Sequence, residues 1–302
     1  MPSAATLTVD SALTGVARTT VEELLARAEA ADGYRALNEA AQLALRQGSP
    51  DSRHLTVLAE DRVVGYAQLL AGPQESTGFL VVDPASRRQG LGLQLVRALA
   101  GHAPSPLQVL APTDSPAAQA LAARAGLVAG RTLLIMMRDL RQSLPEPVVP
   151  DGVVIRTFRP GQDEAAWLTV NAAAFAGHPE QGAVTDKDLA ERMAESWFDP
   201  AGFFVAERGG AMIGFHWTKQ HGDGLGEVYV LGVAPAGHRQ GIGRALLLTG
   251  LRHLQQQGNT AVELYVEAAS GAAVALYSSY GFTTAARDVM YAQRPTGAAQ
   301  EG

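Results

Sequence analysis

Gly226-Glu227-Val228-Tyr229-Val230-Leu231-Gly232-Val233-Ala234-Pro235-Ala236-Gly237-His238-Arg239-Gln240-Gly241-Ile242-Gly243-Arg244-Ala245-Leu246-Leu247-Leu248 decides the fold. β-Branched and apolar residues form a strand ending at Val233, a tight loop follows, and the first turn of a helix holds Gly241 and Gly243. Amides in a glycine-rich turn that feeds a helix N-terminus point one way, and the helix dipole adds partial positive charge, so a diphosphate can sit there. Two common phosphate loops do not fit. A dinucleotide loop places Gly-x-Gly-x-x-Gly directly after its strand, whereas Gly241 comes eight residues after Val233. A Gly-Lys-Ser/Thr triplet is absent from the chain.

What remains is strand, short Pro-containing loop, Arg/Gln-x-x-Gly-x-Gly/Ala and helix, which resembles the acetyl-CoA diphosphate loop of the GNAT acetyltransferases. His238 takes the first motif position, where that family usually has Gln or Arg, and the position serves mainly through its backbone amide.

The same pattern occurs twice. Thr77-Gly78-Phe79-Leu80-Val81-Val82-Asp83-Pro84-Ala85-Ser86-Arg87-Arg88-Gln89-Gly90-Leu91-Gly92 sets Pro84 on Pro235, Arg88 on Arg239, Gly90 on Gly241 and Gly92 on Gly243, all at offset 151. Neighbouring segments repeat too: 55–60 with 64–67 matches 203–207 with 213–216, and Leu121 to Leu127 lies on Leu276 to Phe282 at offset 155. A chance loop does not bring its neighbours with it, so the chain reads as an internal duplication. The expected fold is α/β, an α+β mixed sheet in each of two tandem GNAT-like domains, 1–140 and 153–294. A Pro-rich linker at 141–152 and a disordered tail at 295–302 complete the division.

Composition narrows the function. Apolar content of 47% against 18% charged is that of a globular protein with ample core. A net charge of -6 without a basic run argues against nucleic acid, and no apolar run approaches a membrane span. The absence of cysteine excludes disulfides, thiolate metal sites and a Cys nucleophile. We expect a cytoplasmic monomer acting on a small-molecule amine, with neither nucleic acid nor membrane as partner. The seven histidines show no metal spacing, so no metal is expected, and His216 and His221 read as strand and loop residues.

The two copies differ where chemistry is expected. Glu227 opens the central strand, and its counterpart at offset 151 is Ser76; Tyr277 has Ala122 as its counterpart. Acetyl transfer to an amine needs a base to take a proton from the ammonium and an acid to protonate the departing thiolate. A phenol with pKa of about 10 stays protonated at neutral pH and fits the second role. Glu227 as base, directly or through a water, and Tyr277 as acid fill both, and Tyr277 in Leu-Tyr-x-x-x-Gly-Phe resembles the GNAT general acid. The second domain is therefore expected to be catalytic, and the first to keep at most CoA binding.

Asn171-Ala172-Ala173-Ala174-Phe175-Ala176-Gly177-His178-Pro179-Glu180-Gln181-Gly182, then Trp197-Phe198-Asp199-Pro200 and the opening stretch, resemble the mycothiol synthases, a family of tandem GNAT enzymes. The resemblance covers nearly the whole chain. It implies transfer from acetyl-CoA to the cysteinyl amine of cysteinyl-glucosaminyl-inositol, the last step in making the thiol mycothiol. Substrate contacts would be Glu39, Glu180, Lys219, Glu227 and Tyr265. CoA contacts would be Leu231, Gly232, Val233, His238, Arg239, Gln240, Gly241, Ile242, Gly243 and Arg244, with Ser270, Gly271, Ala272, Ala273, Val274 and Ala275. Ser270 stands where that segment usually begins with Asn. A second set would be Leu80, Val81, Val82, Arg88, Gln89, Gly90, Leu91, Gly92 and Leu93. Two alternatives stay open: a GNAT enzyme for another amine, such as a protein N-terminus or an aminoglycoside, and a non-enzymatic acetyl-CoA sensor.

Overall fold

A computed structural model describes residues 6–293, the side chains of residues 179 and 180 excepted. Two compact units emerge, Met1–Leu133 with the chain from Ala286 onward, and Leu134–Ala285. This division differs from the repeat boundaries at 140 and 153, because the last strand of each repeat passes from one unit to the other. The tail expected from Pro295 lies outside the described residues.

The first unit runs β1 (Thr6–Asp10), α1 (Gly15–Asp32), α2 (Glu39–Gln47), β2 (Ser52–Ala59), β3 (Arg62–Leu70), β4 (Ser76–Val82), α3 (Leu91–His102), β5 (Leu107–Ala111) and α4 (Pro116–Ala125). Its sheet has the order β1-β2-β3-β4-β5, antiparallel except for the parallel β4–β5 pair. One sheet face packs Leu55, Val57, Ala67 and Leu69 against Leu95 and Leu99 of α3; the other packs Tyr66, Phe79 and Val81 against Val21 and Leu24 of α1. Asn38 starts α2 by accepting a bond from the Ala41 amide. The strand β1 was not expected: five residues with no buried side chain carry too little alternation to be read.

β6 (Leu127–Asp139) leads into the second unit. There the chain runs β7 (Val153–Thr157), α5 (Glu164–Ala174), a four-residue α6 (Pro179–Gly182), α7 (Asp186–Met193), β8 (Phe203–Arg208), β9 (Ala211–Gly222), β10 (Leu225–Val233), α8 (Ile242–Gln256), β11 (Ala261–Glu267) and α9 (Gly271–Ser279). The strand order β7-β8-β9-β10-β11 repeats that of the first unit, again with one parallel pair, β10–β11. β12 (Thr283–Gln293) returns to the first unit and pairs antiparallel with β5, Val289 opposite Ala111. Val228, Val262 and Leu264 pack under Leu247 and Leu251 of α8, while Phe203, Phe215 and Trp217 pack with Trp167 of α5. Residues 143–150 belong to no helix or strand, and the Leu144 carbonyl and the Glu146 carboxylate are both bound by Arg252 of α8.

Candidate active site

The phosphate loop is built by backbone conformation. Arg239 and Gly241 take φ of 61° and 83°, and Arg88 and Gly90 of the first unit take 66° and 88°. Left-handed residues set between ordinary ones turn successive amides to one side and make an anion nest. Gly241 caps α8 and Gly90 caps α3, so each nest opens onto a helix N-terminus whose first amides lack intrahelical partners. His238 departs from expectation. Its amide donates to the Pro235 carbonyl at 3.1 Å and its Nε2 donates to the Val233 carbonyl at 2.9 Å, so both are spent closing the loop. The amides of Arg239 to Gly243 are the ones left for an anion.

The strand before the loop is split from its parallel neighbour. β10 pairs with β11 over three positions, Leu225 with Ala261, Gly226 with Val262 and Glu227 with Glu263. Beyond Glu227 its described partners lie on β9 alone, through Val233 opposite Gly214. The β11-facing edge of Leu231, Gly232 and Val233 thus offers backbone donors and acceptors to an extended amide chain such as the pantetheine arm of CoA. On the far side of this seam stands the start of α9, and the Ser270 hydroxyl makes no capping bond to its own helix. The expected CoA residues Ser270 to Ala275 make up this helix start.

Two register shifts set the side chains around the seam. Between Leu225 and Gly226 the partner on β9 jumps from Gly222 to Gln220, leaving His221 as an extra residue; between Val228 and Val230 the extra residue is Tyr229. Such bulges re-aim side chains. His221 Nε2 lies 2.7 Å from Glu227 Oε2 and 3.5 Å from Glu263 Oε1. Lys219, opposite Glu227 in the ladder, holds its ammonium over Trp197 at 4.4 Å and Tyr229 at 5.1 Å. His221 is therefore part of the acidic cluster, a correction to its reading as a loop residue. Neither His221 nor Glu263 was legible as a site residue.

Tyr277 sits on the other face. It is 8% exposed and packs with Val228, Leu247, Leu251 and Phe282, and burial pushes its phenol up to about 12. The hydroxyl therefore keeps its proton at neutral pH. Since Glu227 and Val228 alternate across the strand, the carboxylate and the phenol belong to opposite faces of the sheet.

The remaining expected contacts divide. Tyr265 on β11 is 49% exposed, and Glu39 stands in the first turn of α2 in the first unit. The Glu180 side chain lies outside the described residues. Its segment is tied down by neighbours: the buried Asn171 amide donates to the Gln181 carbonyl at 2.6 Å and accepts from the Gln181 amide at 2.9 Å.

Residues 20–127 and 170–282 each match the acetyltransferase (GNAT) family model. A mycothiol acetyltransferase of Thermomonospora curvata is 52% identical over 281 residues, spanning 91% of this chain and 94% of its own, and one of Streptomyces coelicolor is 49% identical over 274 residues, spanning 89% of each. The chain belongs to the GNAT family and, within it, to the mycothiol acetyltransferases. A GCN5-related N-acetyltransferase from Sphaerobacter thermophilus superposes with TM-score 0.72 at 25% identity, over 96% of both chains. A tandem GNAT protein from the clavulanic acid biosynthesis pathway does so with TM-score 0.74 at 18% identity, over 96% of this chain and 98% of its own, which shows the shared tandem fold. Membership makes this chain an acyltransferase, and GNAT acetyltransferases use acetyl-CoA. Among the described residues no helix is long and apolar enough to cross a membrane.

Within this GNAT pair the first unit is the simpler. Its β3–β4 ladder runs from Gly65–Val82 to Leu70–Thr77 with no shift. Matching the ladders from the loop end sets Thr77 opposite Leu70 where Glu227 stands opposite Lys219, and Thr77 beside Gln108 where Glu227 stands beside Glu263. The structural counterpart of Glu227 is thus Thr77 rather than Ser76, because the bulge at Tyr229 changes the offset from 151 to 150. Ser76 is buried and bonded to Ser105 Oγ at 2.7 Å. A 420 Å³ cleft in this unit is lined by Leu80 to Val82, Arg88, Gly90 to Leu93 and Leu121.

Proposed function

We propose that the second unit transfers the acetyl group of acetyl-CoA to the cysteinyl amine of 1D-myo-inositol 2-(L-cysteinylamino)-2-deoxy-glucopyranoside, completing mycothiol. The observation that carries the reading is the open seam, with Glu227 on one face and the protonated Tyr277 on the other. The relatives at about half identity carry the choice of acceptor.

The loop amides hold the CoA diphosphate, and the free edge of β10 holds the pantetheine arm, which sets the thioester at the end of the seam. Glu227 takes a proton from the substrate ammonium, directly or through one water. The free amine attacks the thioester carbon; the C–N bond forms and the C–S bond breaks, Tyr277 gives its proton to the departing sulfur, and the second proton shed by the new amide nitrogen passes to solvent, from which Tyr277 is reprotonated. The acceptor's ammonium and hydroxyls suit Glu180, Glu227 and Tyr265, with Lys219 facing a hydroxyl oxygen. The cleft of the first unit holds a CoA molecule without turning it over, since Thr77 and Ala122 supply neither base nor acid.

The test follows CoA thiol release from acetyl-CoA with cysteinyl-glucosaminyl-inositol and, in parallel, aminoglycosides and peptide N-termini. Turnover with the first amine far above the others is expected. A preference for an aminoglycoside or a peptide would overturn the acceptor, and binding of acetyl-CoA with no turnover on any amine would make the protein a sensor.

A further inference from the structure

We propose that the last strand of the second repeat builds one wall of the cleft in the first unit, with Asp288 and Tyr291 as positioning residues that hold a strained turn at its rim. The inference rests on the reading of that cleft as a CoA site and names where its shape comes from.

The cleft opens where β4 and β5 part. These strands pair at Ser76–Leu107, Thr77–Gln108 and Gly78–Val109, and past Gly78 the described partners of β4 lie on β3 alone, through Val82 opposite Gly65. Leu80 to Val82 line one side of the opening and Val109 to Ala111 the other. A strand that parts from one neighbour is kept in place by the next, which satisfies its amides and carbonyls. For β5 that neighbour is β12, whose residues from Ala286 onward belong to the first unit, with Val289 opposite Ala111 through Ala292 opposite Gln108. β12 thus holds β5 from the side away from β4. Its Tyr291 lines the cleft as well.

The chain leaves β5 through a turn that ordinary residues resist. Thr113 and Asp114 take φ of 57° and 44°, a left-handed backbone that a β-branched threonine adopts only with strain. Pro112 before them and Ser115 after them line the cleft, and Ser115 caps α4 by accepting from the Ala118 amide. The turn therefore decides where the start of α4 stands across from the free edge of β4.

Two side chains of β12 hold it there. The Thr113 amide donates to Asp288 Oδ1 at 3.0 Å, and the Tyr291 hydroxyl donates to Asp114 Oδ1 at 2.7 Å. Burial and the Asp114 carboxylate push the Tyr291 phenol up to about 12, so this donor keeps its proton. Each bond secures one strained residue from a position 175 or 177 residues further along the chain. The second unit has no such turn. At the offset of 155 that sets Leu121 on Leu276, Thr113 and Asp114 fall on Ala268 and Ala269, neither of which takes a positive φ or carries a polar side chain.

The test is calorimetric titration of acetyl-CoA in a Gly241→Val background, where loss of the second nest leaves the cleft of the first unit to bind. This parent should bind one acetyl-CoA per chain. Adding Asp288→Ala or Tyr291→Phe should weaken binding about tenfold, whereas Asp288→Asn, whose amide oxygen still accepts from Thr113, should bind within about twofold of the parent. A role in folding alone would lower the melting temperature at unchanged affinity and would not separate Ala from Asn. Should Asp288→Ala fail to fold, Tyr291→Phe, which loses a single hydroxyl, carries the test. Parental affinity in either folded variant, or an equal loss in Asp288→Ala and Asp288→Asn, overturns the proposal and leaves the CoA site standing. No acetyl-CoA bound by folded Gly241→Val removes the reading of the cleft as a CoA site and this inference with it.

Discussion

The ladders β3–β4 and β9–β10 come from the same duplicated segment; over their shared length they differ by one inserted residue, Tyr229, and the second runs on past the equivalent of Leu70–Thr77 through a further bulge. The first is unbroken from Gly65 to Leu70, whereas the second bulges at His221 and again at Tyr229. Elsewhere the units agree closely, even in the bulge at Val64 and its equivalent at Ile213 and in the positive φ of Arg88 and Arg239. The left-handed turn at a helix start is thus common to both, while the side chains proposed as base and acid belong to one.

The largest expected effect comes from removing the acid and base. Glu227→Gln and Tyr277→Phe should each lower kcat by roughly 10² or more with an unchanged melting temperature. Thr77→Ala in the first unit, at the position equivalent to Glu227, should leave kcat within about twofold of wild type, since no charge there takes part. Wild-type turnover in both of the first pair would end the contrast between units.

Acid stability sharpens the comparison next. His216 is wholly buried against α8, donating from Nδ1 to the Leu246 carbonyl, and its ladder equivalent in the first unit is Ala67. A β-carbon on Gly250 would come within 2.2 Å of the His216 ring, so the ring occupies the space a side chain there would need. Burial lowers the imidazole from its usual 6.5 to about 4. The folded state stays neutral where the unfolded chain binds a proton, so stability falls as pH drops from 6.5 to 4 and levels off below. The loss across that window is about 3 kcal/mol, and urea unfolding at several pH values should show it shrinking in His216→Asn.

The smallest effect concerns the segment that precedes α7. Asn171→Ala removes two hydrogen bonds to Gln181 at a buried site and should cost about 2 kcal/mol in thermal unfolding. It should also hasten proteolytic cleavage near Gln181. No change in either would show that these bonds do not hold the segment.

The duplication and both phosphate loops were legible because a left-handed turn at a helix start demands glycine at Gly90 and Gly241, and that demand leaves a mark in the sequence. The strands between them were legible from apolar runs, as was the strand start at Glu227. What a sequence does not display is register. One inserted residue at Tyr229 leaves the apolar pattern intact yet moves every pairing beyond it, so the offset measured at the loop pointed to Ser76 when the ladder points to Thr77. His221 and Glu263 were missed for the same reason, since they meet Glu227 only through the pairing of three strands. His238 was legible as a loop residue, but its two bonds to Pro235 and Val233 depend on how the turn closes.

The most direct test disables one phosphate loop at a time. Gly241 and Gly90 hold φ values of 83° and 88°, which a β-branched residue adopts only with strain. Steady-state acetyl transfer should fall roughly a hundredfold or more in Gly241→Val through loss of acetyl-CoA binding, and kcat should stay at the wild-type value in Gly90→Val. Activity that survives in Gly241→Val and disappears in Gly90→Val would contradict the account.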